Sequence, residues 1–124
     1  MVWKNILLVG AGGAVGSIAR YLCQKYISEG HPHAFPVGTF LVNIIGCFII
    51  GLLFGLVEKG QLLNPEWRLL LITGFCGGYT TFSSFAAENI QLLKDGHLAY
   101  FSLYTAGSVV LGIIATWAGI ALLK

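Results

Sequence analysis

Three observations predict an all-α integral membrane protein with four transmembrane helices per subunit. Hydrophobic residues make up 56% of the 124 and charged residues only 10%, with a mean hydropathy of +0.82. A water-soluble domain carries about 25% charged residues, so this chain lacks the polar surface to face water all round. Its apolar residues also gather into four runs, each near the ~20 residues that a helix needs to cross the hydrocarbon core. Short polar turns join them, which leaves a single four-helix domain over residues 1–124.

The first run covers about residues 4–26. Lys4 before an apolar stretch could open a cleaved signal, but Arg20 and other polar residues follow without an A-x-A exit, so the run is expected to stay as a membrane helix. The second, about 36–57, begins at Pro36, whose missing N–H costs nothing in a first helical turn. The third, about 67–93, follows Asn64-Pro65-Glu66, which suits a helix cap and first turn. The fourth is about 98–123. Between them stand Ser28-Glu29-Gly30-His31-Pro32-His33, then Glu58-Lys59-Gly60 on to Asn64, then Lys94-Asp95-Gly96.

Composition excludes several classes. A net charge of +2, scattered along the chain, does not suit nucleic acid. Cys23, Cys47 and Cys76 fall in separate apolar runs with no CxxC pair, which fits small packing residues better than a disulfide framework or metal site. His31, His33 and His97 lie in connecting segments, so no pair of intramembrane haem ligands is present. Gly10-Ala11-Gly12-Gly13-Ala14-Val15-Gly16 imitates a dinucleotide-binding turn, but that motif needs a βαβ unit for which there is no room. No nucleophile–base pair is visible, so an enzyme is not expected.

Charge places the chain poorly across a bilayer. With four crossings, Lys4, Lys59, Arg68 and Lys124 fall on one side and Lys25 and Lys94 on the other, with Arg20 close by. That bias is weak for the positive-inside rule, and insertion in both directions, hence an antiparallel dual-topology homodimer, would follow naturally. Gly12/Gly16, Gly51/Gly55 and Gly74/Gly78 fit the GxxxG spacing that lets backbones approach in lipid, either within the chain or across a dimer seam.

The least helix-like stretch is Gly74-Phe75-Cys76-Gly77-Gly78-Tyr79-Thr80-Thr81-Phe82-Ser83-Ser84-Phe85. Each glycine weakens a helix by about 1 kcal/mol relative to alanine, and backbone groups freed in lipid must find internal partners. The third helix is therefore expected to break near Gly77–Thr80. Phe82 and Phe85, three apart, share a face, and their ring edges carry the positive end of the quadrupole. Thr81, Ser83 and Ser84 add hydroxyl donors, and Glu88 lies one turn further on.

Elsewhere, Asn43 lies seven residues into the second helix, able to bond across helices or to present two N–H donors to an anion. Tyr104 and Ser108 are four apart on the fourth helix, followed by Gly112 and Thr116. Arg20, near the end of the first helix, can snorkel or act as a vestibule charge. Neutral donors thus outnumber acids among the intramembrane polar groups, which suits an anion better than a cation path. Carbonyls freed near Gly77 and Thr80 could hold a small hard cation where two chains meet, as a structural plug.

These residues resemble a known family, the small fluoride channels called Fluc or CrcB, over nearly the whole chain. The likeness rests on Gly12-Gly13-Ala14-Val15-Gly16 with Arg20-Tyr21, on Pro36-Val37-Gly38-Thr39-Phe40 through Asn43 to Gly46, and above all on the Gly74–Phe85 stretch. The resemblance implies a dual-topology dimer with two fluoride pores in the bacterial inner membrane, exporting fluoride passively and limiting its toxicity. It implies a central structural sodium on the backbone carbonyls of Gly77 and Thr80. Asn43, Phe82, Phe85, Ser83, Ser84, Tyr104 and Ser108 would line the pore, with Arg20 and Glu88 in the vestibule. Gly112 lacks the hydroxyl some members carry at that turn. The alternative, a small multidrug or guanidinium-type four-helix exporter, works through an acid in its first helix, and here none precedes Glu29.

Overall fold

The structure, a computed structural model, describes residues 2–30, 34–61 and 64–124, so that His31, Pro32, His33, Leu62 and Leu63 of the first two connections lie outside the described residues. Helix α1 is Val2–Glu29 and α2 is Val37–Glu58. The third span, Pro65–Lys94, is composite: α3 (Pro65–Arg68), a π-helix (Leu69–Cys76), α4 (Gly77–Tyr79), two extended residues, and α5 (Phe82–Lys94). Helix α6 is Leu98–Leu123. All four spans are long and apolar enough to cross a membrane, and no strand falls among the described residues. The chain is a multi-pass, all-helical membrane protein.

Local signals account for the ends. Helix α1 runs past 26 to Glu29 and ends before Gly30. Pro36 precedes the first residue of α2 rather than occupying its first turn. Asn64 caps α3, its Oδ1 accepting from the Glu66 N–H at 2.8 Å. Helices α2 and α5 both close with glycine in the left-handed region, Gly60 at φ +84° and Gly96 at φ +76°. In each, two crossed backbone bonds cover the last carbonyls: Gly60 to Val57 and Gln61 to Leu56, Gly96 to Leu93 and His97 to Leu92.

The small-residue pairs work inside the chain. Helix α1 packs against the π-helix and α4, and α2 packs against α6. A methyl on Gly12 or Gly16 would run into the carbonyl of Leu70 or Phe75, and one on Gly78 would lie 2.5 Å from the Gly13 carbonyl oxygen. On the other seam, a methyl on Gly119 would lie 2.5 Å from the Phe48 carbonyl oxygen, and one on Gly51 would strike that of Thr116. Each seam is a place where two backbones touch, which lipid-embedded helices achieve only with such residues.

The same contact explains where the third span departs from helix. Gly77 and Gly78 keep helical geometry, and Gly78 spends its missing side chain on approach to Gly13. The departure comes after Tyr79, at Thr80 (φ −89°, ψ 157°) and Thr81 (φ −147°, ψ 120°), whose β-branched side chains suit extended backbone. Upstream, the π-helix is eight residues long. Such wider turns are rare and gather at functional sites.

Candidate ion pathway

Two extended residues in a membrane span leave backbone groups that must be satisfied internally. Asn43 of α2 meets them with both ends of its amide. Its Nδ2 donates to the Thr81 carbonyl at 3.1 Å, and the Thr81 N–H donates to its Oδ1 at 2.8 Å. Thr81 also caps α5, its hydroxyl oxygen accepting from the Ser84 N–H at 3.2 Å. Thr80 stays tied to the preceding turn, since its N–H and its hydroxyl both donate to the Cys76 carbonyl, at 3.1 and 2.9 Å. Gly46 makes room for this turn: a methyl there would hit the Thr80 side chain and lie 3.2 Å from the Tyr79 ring.

The turn of Thr81 toward Asn43 takes away the N–H that would continue the helix to the Gly77 carbonyl. Gly77 is exposed and lines, with Thr80, Thr81, Asn43, Phe82, Phe85 and Ser108, an open pocket of about 460 Å³ whose walls also include Cys47, Cys76 and Val109. The next carbonyl, that of Gly78, accepts from Arg20 Nε at 3.0 Å. Arg20 is therefore bound to the interrupted span rather than free at the membrane surface.

Phe82 and Phe85 share a face as their spacing predicts, with ring centroids 5.6 Å apart. Phe82 is 78% exposed, so its ring projects beyond the subunit. Phe85 turns inward, 4.9 Å from the Tyr104 ring. Ser83 is exposed beside Thr81, their hydroxyls 3.4 Å apart, and Ser84 is half-buried; neither lines the pocket. Ser108 does line it, and its hydroxyl is buried with no hydrogen-bond partner among the described residues.

Tyr104 and Glu88 belong to a second assembly. Tyr104 is fully enclosed, its hydroxyl donating to Glu88 Oε1 at 2.9 Å. Thr39 donates to Glu88 Oε2 at 3.0 Å and accepts from Gln24 Nε2 at 3.0 Å, and Gln24 in turn accepts from Arg20 Nη1 at 3.5 Å. One chain of hydrogen bonds thus runs from the Gly78 carbonyl through Arg20, Gln24 and Thr39 to Glu88 and Tyr104, touching all four spans. A cation stands at one end and a carboxylate at the other, with neutral groups between. Buried polar networks hold geometry well when every member is paired.

Gln24 and Thr39 are functional-network residues that the sequence reading does not include. The signal for them is spacing: Gln24 lies one turn after Arg20, and Thr39 one turn before Asn43, so each shares a face with a polar residue that it does include.

Comparison with known proteins follows the same lines. Residues 7–120 match the family model described as CrcB-like protein, Camphor Resistance (CrcB). A protein of Chlorobium luteolum named fluoride-specific ion channel FluC is 52% identical over 120 residues, 97% of this chain and 92% of that one. Proteins of the same name from Chlorobaculum tepidum, 49% identical over 100% of this chain and 98% of its own, and Flavobacterium psychrophilum, 46% identical over 98% of both, are similar throughout.

Proposed function

Because the chain belongs to the CrcB family, we propose that it is a fluoride-selective channel of the bacterial inner membrane, passing the ion passively outward and so limiting its toxicity. The observation that carries this reading is the Asn43–Thr81 pair. It holds an interruption open in the middle of an apolar span, and around that interruption stand an amide, hydroxyls and two phenyl rings. Fluoride is small, hard and tightly hydrated, so leaving water requires close donors at each step. The Asn43 amide keeps one N–H beyond the bond to Thr81, Ser108 has an uncommitted hydroxyl, and the edges of Phe82 and Phe85 present positive potential. None carries a full charge that would trap the ion, which suits conduction.

The conducting unit in this reading is an antiparallel homodimer. Support comes from the near balance of basic residues, and from an open pocket lined by an exposed Phe82. A partner there would wall the pocket. The carbonyls of Gly77 and Thr80 suit a structural sodium: the first has lost its helical N–H partner, and both residues border the open pocket. Four such oxygens from two subunits are hard ligands for a small hard cation. When bound, the ion would satisfy freed backbone and supply a fixed positive charge near the anion path.

Purified protein in liposomes should release fluoride and retain chloride. Absence of fluoride efflux from well-folded protein would reject the channel.

A further inference from the structure

Resting on the fluoride-channel reading above, we propose that the Cys47 thiol is a pore-lining group that hands the ion on from Ser108 into a second groove along α6. A further opening of about 520 Å³ runs along α6 past Gly112, Ile113, Thr116 and Trp117, and the two openings share Cys47, Ser108 and Val109. Those three residues form the wall common to both openings, so an ion moving from one to the other would pass them.

Two of the three bear a polar hydrogen. The Ser108 hydroxyl is buried and unpartnered among the described residues, and the Cys47 thiol is in no disulfide. Val109 offers no donor. The direction of the thiol is given by Gly112, where an added methyl would meet one neighbour, Cys47 Sγ, at 3.4 Å. The sulfur thus faces the gap that Gly112 leaves in the second groove. The other hydroxyl there, that of Thr116, is committed to backbone, with the Cys47 and Gly112 carbonyls at 3.1 and 3.0 Å. Beyond Ser108, the thiol is the donor positioned to meet an anion. An S–H is a weak donor, so it would hold fluoride loosely, as a step on the way out should.

The test uses the whole protein in chloride-free liposomes, with silver ion as a probe of the thiol. Silver should block fluoride efflux through the parent channel. Cys47→Ser, which keeps a donor, should retain measurable fluoride efflux and lose the block. Cys47→Val, apolar and branched, should cut flux by about tenfold or more, the scale of losing one donor to an anion. Silver without effect on the parent overturns the proposal and needs no variant to fold. Block that persists in Cys47→Ser, or full flux through Cys47→Val, overturns it as well. Failure of the parent to conduct at all would instead reject the channel reading.

Discussion

Replacing Asn43 with alanine tests the central feature of the site. The substitution removes two hydrogen bonds, 3.1 Å to the Thr81 carbonyl and 2.8 Å from the Thr81 N–H, and puts nothing in their place. Each buried amide group left unpaired costs about 1–3 kcal/mol. Both groups lie in a span where water is scarce, although the site is only part-buried, so the joint loss is roughly 2–4 kcal/mol. Since about 1.4 kcal/mol is tenfold in an equilibrium, the extended conformation of Thr80 and Thr81 would give way to competing ones in a large share of molecules. The thermal midpoint in detergent should fall, and fluoride efflux from liposomes should fall at least about tenfold. Asn43→Leu separates the causes, because it restores volume without polarity. It should behave like the alanine variant. An unchanged midpoint in Asn43→Ala, or recovery in Asn43→Leu, would show that the amide does not hold the interruption.

Other perturbations address the remaining parts. Phe82→Ile keeps bulk but removes the ring edge, so fluoride efflux should drop while the protein elutes unchanged from a sizing column; equal efflux would take the ring out of the path. Glu88→Leu strips the acceptor from the Thr39 and Tyr104 hydroxyls and should cost about 2 kcal/mol or more. Glu88→Gln, which retains an acceptor oxygen, should cost clearly less, as read by thermal unfolding of both. Exchange of sodium for N-methylglucamine during purification should lower the midpoint and the efflux, and sodium should restore both; insensitivity to the exchange would argue against a structural cation.

The π-helix gives the third span a further distinction. Its eight residues lie directly before the interruption and against α1, where the carbonyls of Leu70 and Phe75 meet Gly12 and Gly16. The backbone contacts on this seam hold the wide turn against its neighbour. Its length was not readable from composition, because Leu69–Cys76 is as apolar as any ordinary helix.

What the sequence determined by itself is whatever depends on neighbours along the chain. Hydropathy over windows of about 20 residues marks the spans, and capping residues such as Asn64, Gly60 and Gly96 mark their ends, because both are local properties. The phenylalanine pair on one face of α5 and the oddity of the Gly74–Phe85 stretch were legible for the same reason. The tertiary structure alone decided the partners. Arg20 finds the Gly78 carbonyl 58 residues away, Asn43 finds Thr81 38 residues away, and Thr39 finds Glu88 49 residues away. It also moved the departure from helix past the glycines to the threonines, since Gly78 is used to touch α1 and Asn43 waits opposite Thr81. Polar groups in lipid have no water to settle for, so Arg20, Asn43 and Thr39 take partners that folding brings to them. Which partner that is depends on how four helices pack, and no window of sequence contains it.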